Sequence, residues 1–169
     1  IKALLFFICL SYADTTIVAF NAVHQSFGNL GNNRTVIDTI QFPESNSTFS
    51  EIIMNVNLEC PDGGCDPWDR KAKISVMHFE EWHEIGRYVT PYGVECGWSF
   101  DVSDYRSILE GEVALSSYID TWVRPGWLVT IEFHFISGTP VYDYTAVRNL
   151  WNYDNIVSVS YTHLTLPTS

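Results

Sequence analysis

Residues 128–136 read Leu-Val-Thr-Ile-Glu-Phe-His-Phe-Ile, and this stretch decides the fold class because its side chains alternate between apolar and polar. The apolar side chains of one face are Val129, Ile131, Phe133 and Phe135, and the polar ones opposite are Thr130, Glu132 and His134. A period of two residues predicts a β-strand with one buried face. Residues 52–58 and 73–79 repeat the pattern, and residues 84–90 are predicted as a further strand.

A local turn signal predicts how the longest of these strands is connected. Arg124, Pro125 and Gly126 stand directly before it, and this combination favours a turn. We therefore expect residues 116–123 to pair with residues 128–136 as a β-hairpin.

One short helix is predicted between Ser103 and Gly111. Ser103 can cap its first turn, and Asp104 suits the positive end of the helix dipole. Ile108 and Leu109 would point inward, and Gly111 can end the helix.

The composition favours an all-β protein that does not bind nucleic acid. The chain has 169 residues, of which 15% are aromatic and only 17% are charged. Short strands separated by turn residues predict an antiparallel sandwich or jelly roll. The formal net charge of -11 argues against nucleic acid and anionic membrane surfaces as partners.

Both ends of the chain differ from its body. Residues 1–13 combine a basic start, an apolar run and a small residue at Ala13, which is typical of a secretory signal peptide; a buried first strand is the alternative. The globular domain is then expected in residues 14–154, outside the cell or in the lumen of the secretory pathway. Residues 155–169 resemble translated adapter sequence, so we expect a non-native or disordered tail rather than a genuine Thr-rich one.

Two cysteines and two glycosylation sequons would suit such a compartment. Cys60 and Cys65 enclose Pro-Asp-Gly-Gly, a segment able to turn tightly, so an oxidising environment favours a disulfide between them. A metal site is disfavoured because no third and fourth ligand lies nearby, and Cys96 remains unassigned. Asn33 and Asn46 begin Asn-X-Thr triplets and are expected to be glycosylated on loops.

The residues after Cys65 form the candidate binding loop. They read Asp-Pro-Trp-Asp-Arg and place Trp68, Asp69 and Arg70 in succession, which suits a polar ligand held against an aromatic wall. Asp66 is expected to be structural, capping the turn that follows the disulfide.

The whole motif resembles the signature loop of the peptide-N-glycosidase F family, in its N-terminal domain. The resemblance rests on residues 60–70 and continues in four further blocks, which are residues 82–92, 101–109, 120–122 and 138–147. It implies the first of two jelly rolls in an amidase that hydrolyses the bond between an N-linked glycan and asparagine, with no metal or cofactor. The expected partners are N-glycoproteins or glycopeptides and a second jelly-roll domain.

The resemblance also implies roles for individual residues. Asp69 corresponds to the principal catalytic aspartate, with Trp68 and Arg70 at the substrate cleft. Asp120 occupies the position of a second family carboxylate, and Trp122 that of an aromatic residue that contacts sugar. A positioned carboxylate can activate water for attack on an amide, and a second acid can help the amine to leave.

Two departures from the family pattern affect these expectations. The family has Glu where this chain has Asp120, and a misplacement of about 1 Å can cost about a hundredfold in rate. A further acid and an arginine come from the family's second domain, so residues 1–169 alone are expected to be inactive. A non-catalytic carbohydrate-binding or glycoprotein-binding module and a protein-contact domain remain as alternatives. A copper monooxygenase is disfavoured because no two histidines have metal-ligand spacing in the sequence.

Overall fold

The computed structural model describes residues 13–28, 31–45, 48–142 and 144–148. The predictions for residues 1–12, for residues 155–169 and for Asn46 lie outside the described residues. Asn33 lies inside them and is exposed to solvent.

The described residues form ten β-strands and one 3₁₀ helix. In chain order the strands are β1 (Thr15–Gln25), β2 (Phe27–Gly28), β3 (Gly31–Asn32), β4 (Thr35–Gln41), β5 (Phe49–Glu59), β6 (Lys71–His78), β7 (Glu81–Val89), β8 (Cys96–Asp101), β9 (Glu112–Ile119) and β10 (Trp127–Ser137), and the helix is Ser103–Ile108. Eight of the strands build two four-stranded antiparallel sheets, ordered β1-β10-β5-β8 and β4-β9-β6-β7, while β2 pairs with β3. This is the jelly-roll sandwich that the sequence predicts.

The core lies between the two sheets and is filled by the alternating apolar side chains. All four apolar residues of the 128–136 pattern are buried, and Phe133 packs edge-on against Phe42 with 5.0 Å between ring centroids. The approach between sheets is close at Gly86 of β7, where an added Cβ would come within 2.6 Å of the Met54 methyl group of β5. The predicted period of two residues thus produces a close-packed interior.

The predicted hairpin between residues 116–123 and 128–136 is wrong. β9 pairs with β4 and β6, whereas β10 pairs with β1 and β5, so the two strands belong to opposite sheets. The connecting segment crosses between the sheets and bonds elsewhere: the Phe27 N–H donates to the Val123 carbonyl at 3.1 Å, and a His24 ring nitrogen lies 2.6 Å from the Pro125 carbonyl oxygen. The turn signal was local, but tertiary partners decide where the chain goes after it.

The predicted helix forms as a single 3₁₀ segment with a different start. Its N-cap residue is Val102, and Ser103 makes no capping bond because its hydroxyl instead accepts the Ile52 N–H at 2.9 Å. Ile108 and Leu109 are buried as predicted, and Gly111 follows with a φ of 64°. No helix in the described segments has the length and apolar character needed to span a bilayer.

Gly126 should be the least replaceable turn glycine. Its φ is 56°, and an added Cβ would overlap the Gln25 carbonyl oxygen and lie 2.8 Å from the Ser26 Cα. We expect Gly126→Ala to lower the free energy of unfolding by about 3 kcal/mol or more, since strain and backbone overlap act together.

Gly111→Ala is the matched control, because Gly111 has a φ of 64° with only the flexible Glu44 carboxylate near a new Cβ, at 3.5 Å. It should cost only about 1 kcal/mol, the usual penalty of a left-handed Ala. Urea unfolding followed by tryptophan fluorescence measures both. Equal losses in the two variants would contradict the tight packing assigned to Gly126.

Candidate functional site

Residues 60–70, called the stapled loop below, connect β5 to β6. The disulfide predicted within this loop is confirmed. Cys60 and Cys65 are bonded with 4.5 Å between their Cα atoms. Gly63 and Gly64 have φ values of 99° and 100°, and the Gly64 N–H donates to the Pro61 carbonyl at 3.0 Å. The glycines therefore allow the turn that brings the two sulfur atoms together.

Asp66 is the centre of the loop and is fully buried. Its carboxylate accepts the Trp68 N–H at 3.0 Å, the Arg70 Nε–H at 2.7 Å and the Thr121 hydroxyl at 2.7 Å. The predicted turn-capping role of Asp66 is confirmed, and the ion pair with Arg70 adds to it. Because a buried carboxylate needs such partners, Arg70 and Thr121 are held as firmly as Asp66 itself.

Backbone bonds fasten the same loop to its neighbours on both sides. The Asp66 N–H donates to the Gly126 carbonyl at 3.0 Å, and the Gly93 N–H donates to the Asp66 carbonyl at 3.1 Å. Thr90 is buried and exchanges bonds with Arg70: its hydroxyl accepts the Arg70 N–H at 2.9 Å, and its own N–H donates to the Arg70 carbonyl at 2.8 Å. The residues that follow Asp66 are thus carried on a fixed support.

This support turns Trp68 and Asp69 outward. Trp68 is 58% exposed, and Asp69 is exposed as well. Asp69 acts on the neighbouring Tyr92, where its negative charge and a hydrogen bond from the phenol raise the pKa of Tyr92. Two neighbouring loops thereby expose a carboxylate, a phenol and an indole to solvent, at Asp69, Tyr92 and Trp68.

Asp120 and Trp122 stand beside this loop, just after β9. The Asp120 N–H donates to the Lys71 carbonyl at 3.0 Å, so Asp120 lies against the residue that follows Arg70. Its carboxylate accepts the Tyr118 hydroxyl at 2.8 Å and lies 3.5 Å from an Arg34 nitrogen and 3.8 Å from the Lys71 ammonium. Burial and the Asp120 carboxylate together raise the pKa of Tyr118.

Trp122 extends the aromatic surface next to Asp120. It is 53% exposed, and its ring lies 5.2 Å from the Phe27 ring between centroids. The Arg34 guanidinium stands 4.2 Å above the Trp122 ring, a cation–π arrangement. Arg34 therefore connects Trp122 to Asp120, and it follows directly after the exposed sequon residue Asn33.

Sequence reasoning missed several of these neighbours. They are Phe27, Arg34, Lys71, Tyr92 and Tyr118. Tyr92 lies within one of the blocks that carry the family resemblance, so that block was a usable signal. Phe27 and Arg34 come from the β2–β3 region, and nothing in the sequence places that region beside residues 120–122.

Arg70 differs in position from the other residues assigned to the cleft. Its side chain is mostly buried and directed at Asp66, whereas Trp68, Asp69 and Trp122 face outward. In the part of the chain that the structure describes, no group of three His, Cys, Asp or Glu side chains is arranged to hold a metal ion.

The fold and site together define a jelly-roll domain that presents acidic and aromatic side chains on loops at one end of the sandwich. Residues 75–135 match the family model described as peptide-N-glycosidase F, N terminal. A relative from Elizabethkingia miricola, named peptide-N(4)-(N-acetyl-beta-D-glucosaminyl)asparagine amidase F, is 37% identical over 151 residues, which are 84% of this chain and 42% of the relative. The chain is homologous to the N-terminal domain of peptide-N-glycosidase F.

Solved structures agree with this assignment. A crystal structure of peptide-N(4)-(N-acetyl-beta-D-glucosaminyl) asparagine amidase is 35% identical with a TM-score of 0.73, and the match covers 78% of this chain and 44% of that one. The structure of PNGase F, a glycosylasparaginase from Flavobacterium meningosepticum, is 36% identical with a TM-score of 0.74, covering 79% and 45%. PNGF-II, at 13% identity and a TM-score of 0.66, shares the fold. The chain spans less than half the length of these relatives.

Asp66 and Asp69 should differ in how much stability the same substitution costs. Asp66→Asn removes the buried charge to which Arg70 and Thr121 donate hydrogen bonds. We therefore expect the free energy of unfolding to fall by about 2–3 kcal/mol. Asp69→Asn, three residues away and exposed, should change it by no more than about 0.5 kcal/mol. Urea denaturation of both variants measures the difference. A loss at Asp69 as large as at Asp66 would contradict this division into a structural and an available carboxylate.

Proposed function

We propose that this domain belongs to a secreted amidase that hydrolyses the amide bond between an N-linked glycan and its asparagine. The relatives' names supply the reaction class, and the resemblance of the loop supplies the residues. The observation that carries the proposal is the contrast between two aspartates, because Asp66 takes the buried ion pair with Arg70 and leaves Asp69 exposed. In the described residues no cation lies within ion-pair distance of Asp69.

The proposed chemistry uses Asp69 as the base. Its carboxylate takes a proton from a water molecule, whose oxygen forms a bond to the amide carbon while the carbon–nitrogen bond breaks. The amine leaves with a proton as a glycosylamine, and the asparagine becomes an aspartate. The charge of Asp69 raises the pKa of the neighbouring Tyr92, so the phenol is protonated and can orient the carboxylate as a donor.

The aromatic residues hold the sugar in this proposal. The exposed faces of Trp68 and Trp122 can pack against the apolar faces of pyranose rings. Arg34, which stacks on Trp122, adds donors for sugar hydroxyls beside Asp120. We assign Arg70 a positioning role, since its guanidinium is bound to Asp66 and fixes the loop that carries Asp69.

Secretion and a second jelly roll complete the proposal. The Cys60–Cys65 disulfide supports an oxidising compartment, as the apolar start of the chain does. Exposure of Asn33 supports its use as a glycosylation site. A neighbouring jelly roll would close the cleft over Trp68 and Trp122 and would supply the further acid and arginine that the resemblance implies.

A non-catalytic carbohydrate-binding module is the second candidate function. It is favoured by the surroundings of Asp120, whose carboxylate is already engaged by Tyr118, Arg34 and Lys71. The Asp120 carboxylate already has three partners, and its side chain is shorter than the family's Glu. Asp120 is therefore better suited to holding Arg34 beside Trp122 than to transferring a proton.

The central test is Asp69→Asn in the protein that carries both jelly rolls. We expect release of glycans from a denatured N-glycoprotein to fall about a thousandfold, the usual contribution of a general base. Binding of N,N'-diacetylchitobiose should stay unchanged, because the indoles are untouched. Asp62→Asn, an exposed aspartate of the stapled loop, is the matched control and should keep full activity. Unchanged turnover in Asp69→Asn would reject the assignment, and residues 1–169 alone should release no glycan.

Asp120→Glu separates the two candidate functions. Restoring the family's longer side chain should raise turnover by about tenfold to a hundredfold if the second carboxylate takes part, because placement within about 1 Å has effects of that size. Asp38→Glu, an exposed position on β4, serves as the control for the substitution itself. Initial rates on a fluorescent glycopeptide measure both variants. Turnover that does not rise in Asp120→Glu would favour the binding module.

A further inference from the structure

The outer face of the β4-β9-β6-β7 sheet gathers positive charge in a chain that is otherwise acidic. The chain has 20 Asp and Glu residues but only 9 Lys and Arg residues. Three of those nine, Lys71, Lys73 and Arg87, line one depression on this face together with Tyr118. Ile74 is fully buried in the core, so the alternation of β6 directs the neighbouring Lys73 outward. Cations gathered on one face of an acidic protein indicate that this face meets an anion.

The strand register places two of these cations directly beside each other. Lys73 of β6 is opposite Arg87 of β7 on one side and opposite Tyr118 of β9 on the other. Like charges that face each other across two strands are destabilising. Arg87 is neutralised locally, because its guanidinium donates two hydrogen bonds of 2.7 Å to the Glu84 carboxylate. Among the described residues no carboxylate lies within ion-pair distance of the Lys73 ammonium, so this charge is available to a ligand.

A second depression continues the first along the same face. Its volume is about 440 Å³, within the range of small-molecule sites, and it shares Lys73 and Tyr118 with the first. The rest of its lining consists of hydroxyl-bearing and apolar side chains, which are Thr35, Ile37, Ser75, Trp82 and Ser116. The two depressions together are called the sheet groove below.

The lining of the sheet groove has the chemistry of a sugar site. Trp82 is 37% exposed, and Tyr118 is partly buried. The small residues Ser75 and Ser116 are opposite each other in the register and leave space between these two aromatic side chains. Aromatic rings pack on the apolar face of a pyranose, and serine hydroxyls can donate to or accept from its hydroxyl groups. Lys73 adds a charge-assisted bond for an anionic substituent on the same sugar.

The sheet groove begins where the proposed glycan cleft ends. The Lys71 ammonium lies 3.8 Å from the Asp120 carboxylate, and the Tyr118 hydroxyl donates to the same carboxylate at 2.8 Å. From Asp120 to Ser116 the chain runs about 13 Å along β9. A glycan that contacts Trp122 can therefore continue past Asp120 into the sheet groove.

A polyanion and an acidic peptide are poorer matches for this groove. A ligand with many negative charges is repelled by a chain of net charge -11, whereas Lys73 can hold a single anionic group. An extended peptide pairs with the free edge of a sheet, but Lys73 and Tyr118 project from the two central strands of this sheet.

We propose that the sheet groove binds one acidic sugar unit of an N-glycan, with Lys73 at its carboxylate or sulfate group. Tyr118 and Trp82 pack against the sugar ring, and Ser116 bonds to its hydroxyls. That this sugar belongs to the substrate rests on the proposed amidase function, whereas binding of an acidic sugar by the groove does not.

NMR titration of the 169-residue chain at low salt tests the binding with two pairs of probes. Sialyllactose with lactose examines a carboxylate, and N-acetylglucosamine-6-sulfate with N-acetylglucosamine examines a sulfate. At least one acidic probe should bind about fivefold more tightly than its neutral partner, which equals about 1 kcal/mol for an exposed ion pair. It should also shift the signals of Tyr118 and Trp82. NaCl at about 500 mM should abolish the preference by screening.

Two variants separate the charge from the stacking. Lys73→Gln should remove the preference for the acidic probe and keep the binding of the neutral one. Trp82→Ala should weaken both members of a pair alike. Arg148→Gln and Tyr144→Ala remove an exposed cation and an exposed aromatic side chain outside the groove, and both should leave binding unchanged.

The protein that carries both jelly rolls tests the link to the substrate. A glycopeptide with the preferred acidic sugar should have a KM about fivefold lower than its neutral twin, the same ion-pair effect. Lys73→Gln should make the two KM values equal without changing kcat, because Lys73 does not contact Asp69 in the structure described. Turnover of neither glycopeptide would count against the amidase alone, since the NMR preference is measured independently.

Three results would overturn the inference. Equal binding of the acidic and neutral probes by the unmodified chain, or a preference that persists in Lys73→Gln, would show that the groove does not recognise an anion. Equal KM values for the two glycopeptides would show that the second jelly roll covers the groove or that the substrate does not reach it.

Discussion

The buried ion pair between Asp66 and Arg70 is the constraint on which the candidate site depends. A buried ion pair adds little net stability, because the cost of removing both charges from water offsets their attraction. Its value is conformational: with Thr121 as a third partner, the pair admits one arrangement of residues 66–70 against residues 120–126. An apolar replacement could fill the same space, but it would not specify which side chains of the loop face outward.

The disulfide and the ion pair constrain the loop in different ways. The Cys60–Cys65 bond closes a short ring, which stabilises the folded state by about 2 kcal/mol on the chain-entropy model. It limits the loop in the unfolded chain but does not orient Asp69. Asp66 does so, because its bonds to Trp68 N–H and to Arg70 lie on either side of Asp69. Orientation is the property that catalysis requires, since a group displaced by about 1 Å loses much of its effect.

How far the sequence could predict the structure depends on the range of each signal. The alternation in residues 128–136 and the Cys60–Cys65 loop are encoded within a few residues, and both were predicted correctly. The partner of β10 was not, because the turn at Gly126 is local, while the bonds of residues 121–126 to Asp66 and to Phe27 come from distant parts of the chain. Arg34 beside Trp122 could not be foreseen for the same reason: only the folded β2–β3 region places it there.

The carboxylates of the site are held to different degrees. Around Asp66 the carboxylate and its donors are fully paired, so the loop is preorganised before any substrate arrives, as electrostatic catalysis demands. Asp120 is engaged by Tyr118, Arg34 and Lys71. In the described residues Asp69 has no cation within ion-pair distance and is exposed. The paired carboxylates therefore fix the loops in place, and Asp69 is the carboxylate that the fold leaves open to solvent.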